Sequence, residues 1–199
     1  MGIGELARGG AGGHRRFGTA GAGWRWSAIL LGMAYKPAPV GGWLDEDQQR
    51  AWLAFMRVQL RMTFEMNRQL QADSGLSLSD YDVLNALSDT PGGCLSVTAL
   101  AARLGWERSR LSHHAKRMAG RGLVSSELAV SDRRVTEISL TTRGRRAVEA
   151  AAIGHVELVR RLFFDGLTPE VVRGLSETLE TVYANILERG SLPRPDSIA

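Results

Sequence analysis

Two short stretches of strand character interrupt a chain otherwise patterned for helices. "VTEISL" (135–140) alternates, with Val135, Glu137 and Ser139 on one side and Thr136, Ile138 and Leu140 on the other. "LVSSEL" (123–128) precedes it, and the polar turn "AVSDRR" joins the two into a hairpin. An isolated hairpin is at best marginally stable in water, so it must lie against helices. The chain is therefore expected to be mainly α with a small β-hairpin.

Six helical segments surround that hairpin. "LDEDQQRAWLAFMRVQLRMTFEMNRQLQ" spaces Trp52, Phe55, Met56, Leu60, Phe64 and Leu70 at helical intervals and puts acids in the first turn, which suits the macrodipole. "SGLSLSDYDVLNALSDTPGG" carries Tyr81, Val83, Leu84 and Leu87, with Ser79 the expected cap and Pro91-Gly92-Gly93 the stop. "LSVTALAARLG" begins at Ser96, turns Leu100 and Leu104 inward and ends at Gly105; "WERSRLSHHAKRMAGRG" follows, ending near Gly120 or Gly122. After the hairpin, Thr141 or Thr142 caps a helix that runs to "RRLFF", and Thr168 with Pro169 opens the last one.

Charge is sorted along the chain. Residues 1–42 hold five basic groups against one acidic, and residues 43–199 hold twenty of each. Within that neutral body, residues 101–146 hold eleven basic groups against four acidic. A neutral body with one positive lobe suits a local polyanion site. No apolar run approaches the roughly 18 residues of a membrane span. The single cysteine, Cys94, allows no internal disulfide and reads as a small, partly buried residue. His113 and His114 diverge around their helix and have no third ligand at metal-binding spacing, and there is no Gly-rich phosphate loop or nucleophile elbow. Neither a cofactor nor a catalytic centre is expected.

Residues 1–42 are rich in Gly, Ala and Arg without lasting periodicity, which reads as a disordered extension. "MAYKPAPVGGWLDEDQQ" reads equally as a natural N-terminus, so Met33 is a candidate true start. A twin-arginine signal is disfavoured because Trp24-Arg25-Trp26 interrupts the apolar stretch. Residues 43–190 form the domain, with 76–140 the winged lobe, 43–72 and 141–190 flanking helices, and 191–199 a tail.

Two short helices, a tight turn "LGWE" and then a hairpin make a winged helix-turn-helix. At about 100° per residue, Leu111, Ala115 and Met118 share the inner face of the second helix, and Ser109, His113 and Lys116 the opposite face. Arg110, Ser112 and Arg117 flank them, and Arg108 stands at the helix start. This face has no acid and offers donors to phosphates and guanine edges. Arg133 and Arg134 occupy the hairpin tip, where a cation reaches the DNA backbone or minor groove. Asp132 beside them is expected to orient an arginine by a charge-assisted bond.

"DRRVTEISLT" fits the pattern D-x-R-x-x-x-x-x-L-T, with Asp132, Arg134, Leu140 and Thr141 in the four fixed positions. That is the wing signature of the multiple antibiotic resistance regulator (MarR) family, and "RSRLSHHAKRMAGRGLV" also resembles the family's recognition helix. The resemblance covers roughly residues 45–190. It implies a homodimer built by interlocked terminal helices, and a cleft between these helices and the DNA-binding lobe for a small, often aromatic anionic ligand. Pocket residues are not legible: Arg57, Arg61, Trp52 and Tyr81 are possible lining groups, and core or surface roles suit each better. The expected function is a cytoplasmic homodimeric repressor of a palindromic operator, relieved by a small effector, with double-stranded DNA as partner, no membrane and no enzymatic activity. The alternatives are a ligand-independent activator or dual regulator of the same fold, or a protein-interaction scaffold whose basic lobe meets an acidic partner.

Overall fold

The computed structural model describes residues 42–195; the extension and the candidate start at Met33 lie outside the described residues, as do the last four positions. The chain divides into two compact units between Phe55 and Met56.

In the first unit, Asp45 and Gln48 cap a helix start reciprocally: the Gln48 N–H donates to Asp45 Oδ1 at 2.8 Å, and the Asp45 N–H donates to Gln48 Oε1 at 3.1 Å. The helix begun there, α1, spans Glu46–Ser74. Trp52 and Phe55 face each other at 5.7 Å, and both are exposed.

In the second unit α1 ends at Gly75, whose φ of 66° takes the left-handed turn. Ser77, not Ser79, caps α2 (Leu78–Ser88). Its hydroxyl accepts from the Asp80 N–H, and the Asp80 carboxylate accepts from the Ser77 N–H. The expectation of Ser79 missed this reciprocal box, which needs an acceptor side chain three residues after the cap. A 3-10 turn, Pro91–Gly93, leads into β1 (Cys94–Ser96), and Ser96 caps α3 (Val97–Leu104). Gly105, at φ 65°, makes the tight turn to α4 (Arg108–Gly120). Strands β2 (Val124–Leu128) and β3 (Thr136–Leu140) form the expected hairpin. Three-residue β1 adds to its other edge, giving the order β1-β3-β2, all antiparallel. Ile138 sits at the sheet centre between Leu95 and Ser126 and is buried.

The core of this unit gathers Leu70, Leu76, Val83, Leu84, Leu87, Leu100, Leu111, Met118 and Ile138, from α1, α2, α3, α4, β3 and the α1–α2 linker. Each such side chain contributes roughly 1.5–3 kcal/mol on burial. Thr141 closes the sheet: its hydroxyl meets the Gly122 and Leu123 carbonyls at 2.8 and 3.0 Å and accepts from the Gly144 N–H at 2.9 Å. Helix α5 (Thr142–Val159) starts from that cap. Gly144 is forced by this close approach, since a Cβ there would lie 2.0 Å from the Leu123 carbonyl oxygen. A π-type turn, Arg160–Phe164, ends α5, and α6 (Pro169–Arg189) follows behind the Thr168 cap. No helix of the described residues is long and apolar enough to cross a membrane.

Candidate nucleic-acid interface

Helix α4 is anchored by Leu111, Ala115 and Met118, each at most 1% exposed. Its outer surface presents Arg108, Ser109, Arg110, Ser112, His113, Lys116 and Arg117, all exposed. Few contacts constrain most of them. The Ser112 hydroxyl donates to the Arg108 carbonyl at 3.0 Å, a bond internal to the helix. Two arginines are held differently. Arg110 lies over the Trp106 ring, 4.1 Å from its centroid, and Arg117 meets His114 Nδ1 at 2.9 Å.

The wing tip is built around one carboxylate. Asp132 accepts from Arg134 three times, at 3.0 Å from the backbone N–H, 3.1 Å from Nε and 3.0 Å from a terminal nitrogen. The fork geometry aims a guanidinium that is otherwise almost wholly in solvent. The side-chain bond from Arg134 comes first among the causes holding the Asp132 carboxyl below the ordinary carboxylate range. Arg133 is exposed next to it. Ala129 donates to Val135 across the base of the loop at 2.9 Å, so the tip is a closed turn.

Helix and wing meet at a concave surface of about 270 Å³, where Arg108 and Ser112 from α4 face Arg134 and Thr136 from the wing. Residues far apart in sequence thus line one groove with two cations. Lys116 and Arg117 stand further along the same helix.

A buried polar cluster under α4 escaped the sequence reading. Asp80 is 3% exposed and His114 8%. Asp80 accepts from Arg121 at 2.7 Å and from the Ser77 N–H at 2.9 Å, and His114 Nε2 lies 3.1 Å from its other oxygen. Arg121 also donates to the Gly75 carbonyl at 2.9 Å, tying the end of α4 to the start of α2. Burial alone would raise the Asp80 carboxyl. The hydrogen bonds from His114, Ser77 and Arg121 outweigh it and hold the group well below the ordinary range. Neighbouring Asp82 is pushed up by burial, against the pull of Arg110 and His114. A signal for His114 existed in the helical phase, which sets it about 60° from Leu111, on the inner side. Nothing in the local pattern announced Asp80 as its partner, 34 residues earlier. Among the described residues no group of three or more His, Cys, Asp or Glu could hold a metal ion, and Cys94 is a free, half-buried thiol.

The MarR family model matches residues 74–135, the segment that holds the helix-turn-helix, β2 and the wing tip. The transcriptional repressor IacR of Pseudomonas putida is 31% identical over 144 residues, spanning 71% of this chain and 81% of its own. The chain belongs to the MarR family. Sco3205, a MarR family regulator from Streptomyces coelicolor solved in complex with DNA, superposes with a TM-score of 0.71 at 34% identity, over 76% of this chain and 99% of its own. CouR from Rhodococcus jostii RHA1, solved bound to p-coumaroyl-CoA, is 26% identical, with a TM-score of 0.59 over 66% of this chain and 90% of its own. This MarR family chain is accordingly a DNA-binding transcription regulator and not an enzyme. The D-x-R-x-x-x-x-x-L-T pattern that suggested the family coincides with the observed wing tip and third strand.

Proposed function

We propose that this regulator is a cytoplasmic homodimeric repressor that grips a twofold operator with α4 and the wing, and is released by a small effector. The groove between α4 and the wing, with Arg108 and the Asp132-clamped Arg134 on opposite walls, carries the DNA reading. Ser109, Arg110, Ser112, His113, Lys116 and Arg117 extend the contact along the helix; Arg133 and Arg134 reach the backbone or minor groove. Arg134→Ala should weaken binding to a selected duplex by more than about tenfold and flatten the salt dependence, without changing the oligomeric state. Unchanged affinity would reject the wing as a contact.

Dimerisation is supported by apolar surface left exposed among the described residues. Helix α6 buries none of its residues, and Val171, Leu179, Val182 and Ile186 form one exposed stripe along it. Leu60 and Phe64 on α1 are likewise exposed. A helix-turn-helix gains specificity by presenting two copies about one turn of DNA apart. Repression is favoured by the likeness to IacR, a named repressor.

The effector reading rests on a cavity of about 490 Å³ lined by His155, Val156, Val159, Arg160 and Phe164. Tyr81, on α2, faces the His155 ring at 4.5 Å, so this wall touches the DNA-binding lobe. Apolar walls with one cation suit an aromatic carboxylate, in keeping with the ligand-bound CouR. A ligand preferring one arrangement of Tyr81 and His155 would shift the population toward it. Titration with benzoate-type acids should weaken DNA binding, and Arg160→Ala should abolish that response while leaving ligand-free affinity intact.

A further inference from the structure

The two held arginines of α4 share one buried support. His114 lies between Asp80 and Arg117, with Nε2 3.1 Å from the carboxylate and Nδ1 2.9 Å from the guanidinium. A guanidinium has donors only, so Nδ1 must accept. The ring proton therefore sits on Nε2, which faces the Asp80 carboxylate at 3.1 Å without the alignment of a full hydrogen bond. Both neighbours demand the same tautomer. The ring's orientation is set again by Trp106, which meets it edge-on at 5.5 Å and 87°, while the Trp106 face carries Arg110. Arg108, His113 and Lys116 on the same helix have no side-chain hydrogen bond or ion pair of this kind.

We propose that His114 is a positioning residue for DNA binding: seated between Asp80 and Trp106, it fixes the Arg117 guanidinium on the flank of α4 for a backbone phosphate. The idea rests on the reading that the outer face of α4 meets DNA. Free arginine loses much rotamer freedom when it binds, and one already held loses less. Arg110 over Trp106 is arranged alongside it, so Trp106 and His114 set two cations at defined places on one edge of the helix.

The test uses the full chain and a duplex enriched from a random pool by the unsubstituted protein. His114→Gln keeps an N–H for Asp80 and an oxygen for Arg117 at similar spacing, and should bind within about threefold of the unsubstituted protein. His114→Phe keeps a ring edge against Trp106 but loses both polar contacts, and should bind about tenfold more weakly with a smaller salt slope. In an Arg117→Ala background, His114→Phe and His114→Gln should differ by less than about twofold, because the arginine they act through is gone. Additive losses, or unaltered binding by His114→Phe, would overturn the proposal. Nitrogen-15 NMR of the ring supplies a readout independent of DNA and of whether the Phe variant folds. The Nε2–H tautomer with an Nδ1 signal that moves in Arg117→Ala is expected, and an Nδ1–H tautomer would overturn it. If the unsubstituted protein enriches no duplex from the pool, the DNA reading itself falls; if Arg134→Ala weakens binding while the His114 cycle is additive, only the positioning role falls.

Discussion

Leu84 and Leu179 both lie on apolar faces of amphipathic helices, yet Leu84 is completely buried and Leu179 is 43% exposed. The difference runs through the molecule. Helix α2 and the winged lobe close on their own side chains, down to a carboxylate met by three residues, Ser77, His114 and Arg121. Helix α6 has a comparable stripe and buries nothing. Self-contained packing lets the lobe hold its own shape without a partner. The apolar surface that α6 leaves exposed is what the proposed homodimer would cover, and a stripe of this kind is rare on a monomeric protein.

The sharpest way to break the contrast is at the point where the lobe meets α5. Gly144→Ala would push a Cβ into the Leu123 carbonyl, a backbone clash no rotamer relieves. We expect a loss of about 3 kcal/mol or more, or failure to fold, read as a collapse of the melting temperature. Leu84→Ala should cost about 2–5 kcal/mol, with the loss independent of protein concentration. Leu179→Glu should instead leave the winged lobe folded by NMR and shift sedimentation from dimer to monomer at micromolar concentration. A concentration-independent destabilisation of the Leu84 kind would mean that α6 packs within its own chain.

A smaller effect sharpens the account of the lobe. Because hydrogen bonds hold the Asp80 carboxyl below its ordinary value in the fold, its contribution is fully present above the unfolded carboxylate value near pH 4. That contribution is lost as pH falls below about 4 toward the lowered folded value. Asp80→Asn should lower stability at neutral pH by about 1–3 kcal/mol and flatten the acid limb of a stability–pH profile. An acid limb as steep as that of the unsubstituted protein would assign acid unfolding to other groups.

The smallest effect concerns His155, which burial holds below the ordinary histidine value. Its contribution is complete above about pH 6.5 and declines as pH drops through the lowered folded value. His155→Gln should remove a shallow loss of stability in the mildly acidic range, measured by urea titration.

Much of this is legible in the sequence. Thr168 and Pro169, Ser96 and Gly105 mark helix ends by local backbone chemistry, which acts over three or four residues and leaves a pattern there. The Leu111, Ala115 and Met118 face followed from helical periodicity, as did the exposure of the face opposite. Strand β1 did not, because "CLS" is too short to alternate and its pairing with β3 joins residues some 40 positions apart. Nor did the Asp80–His114–Arg117 chain, since a polar residue's burial depends on which distant donor reaches it.

The order of elements, the basic lobe, the helix face and the wing with its Asp132–Arg134 pair were written in local spacing, where each residue's neighbours lie within a turn or a hairpin. The tertiary structure alone decided that Arg108 and Arg134 line one groove, that Gly144 is required by a carbonyl twenty-one residues away, and that a buried histidine holds one of the exposed arginines of α4. Those outcomes depend on close packing between distant segments, and no pattern confined to one segment records what will come to lie against it.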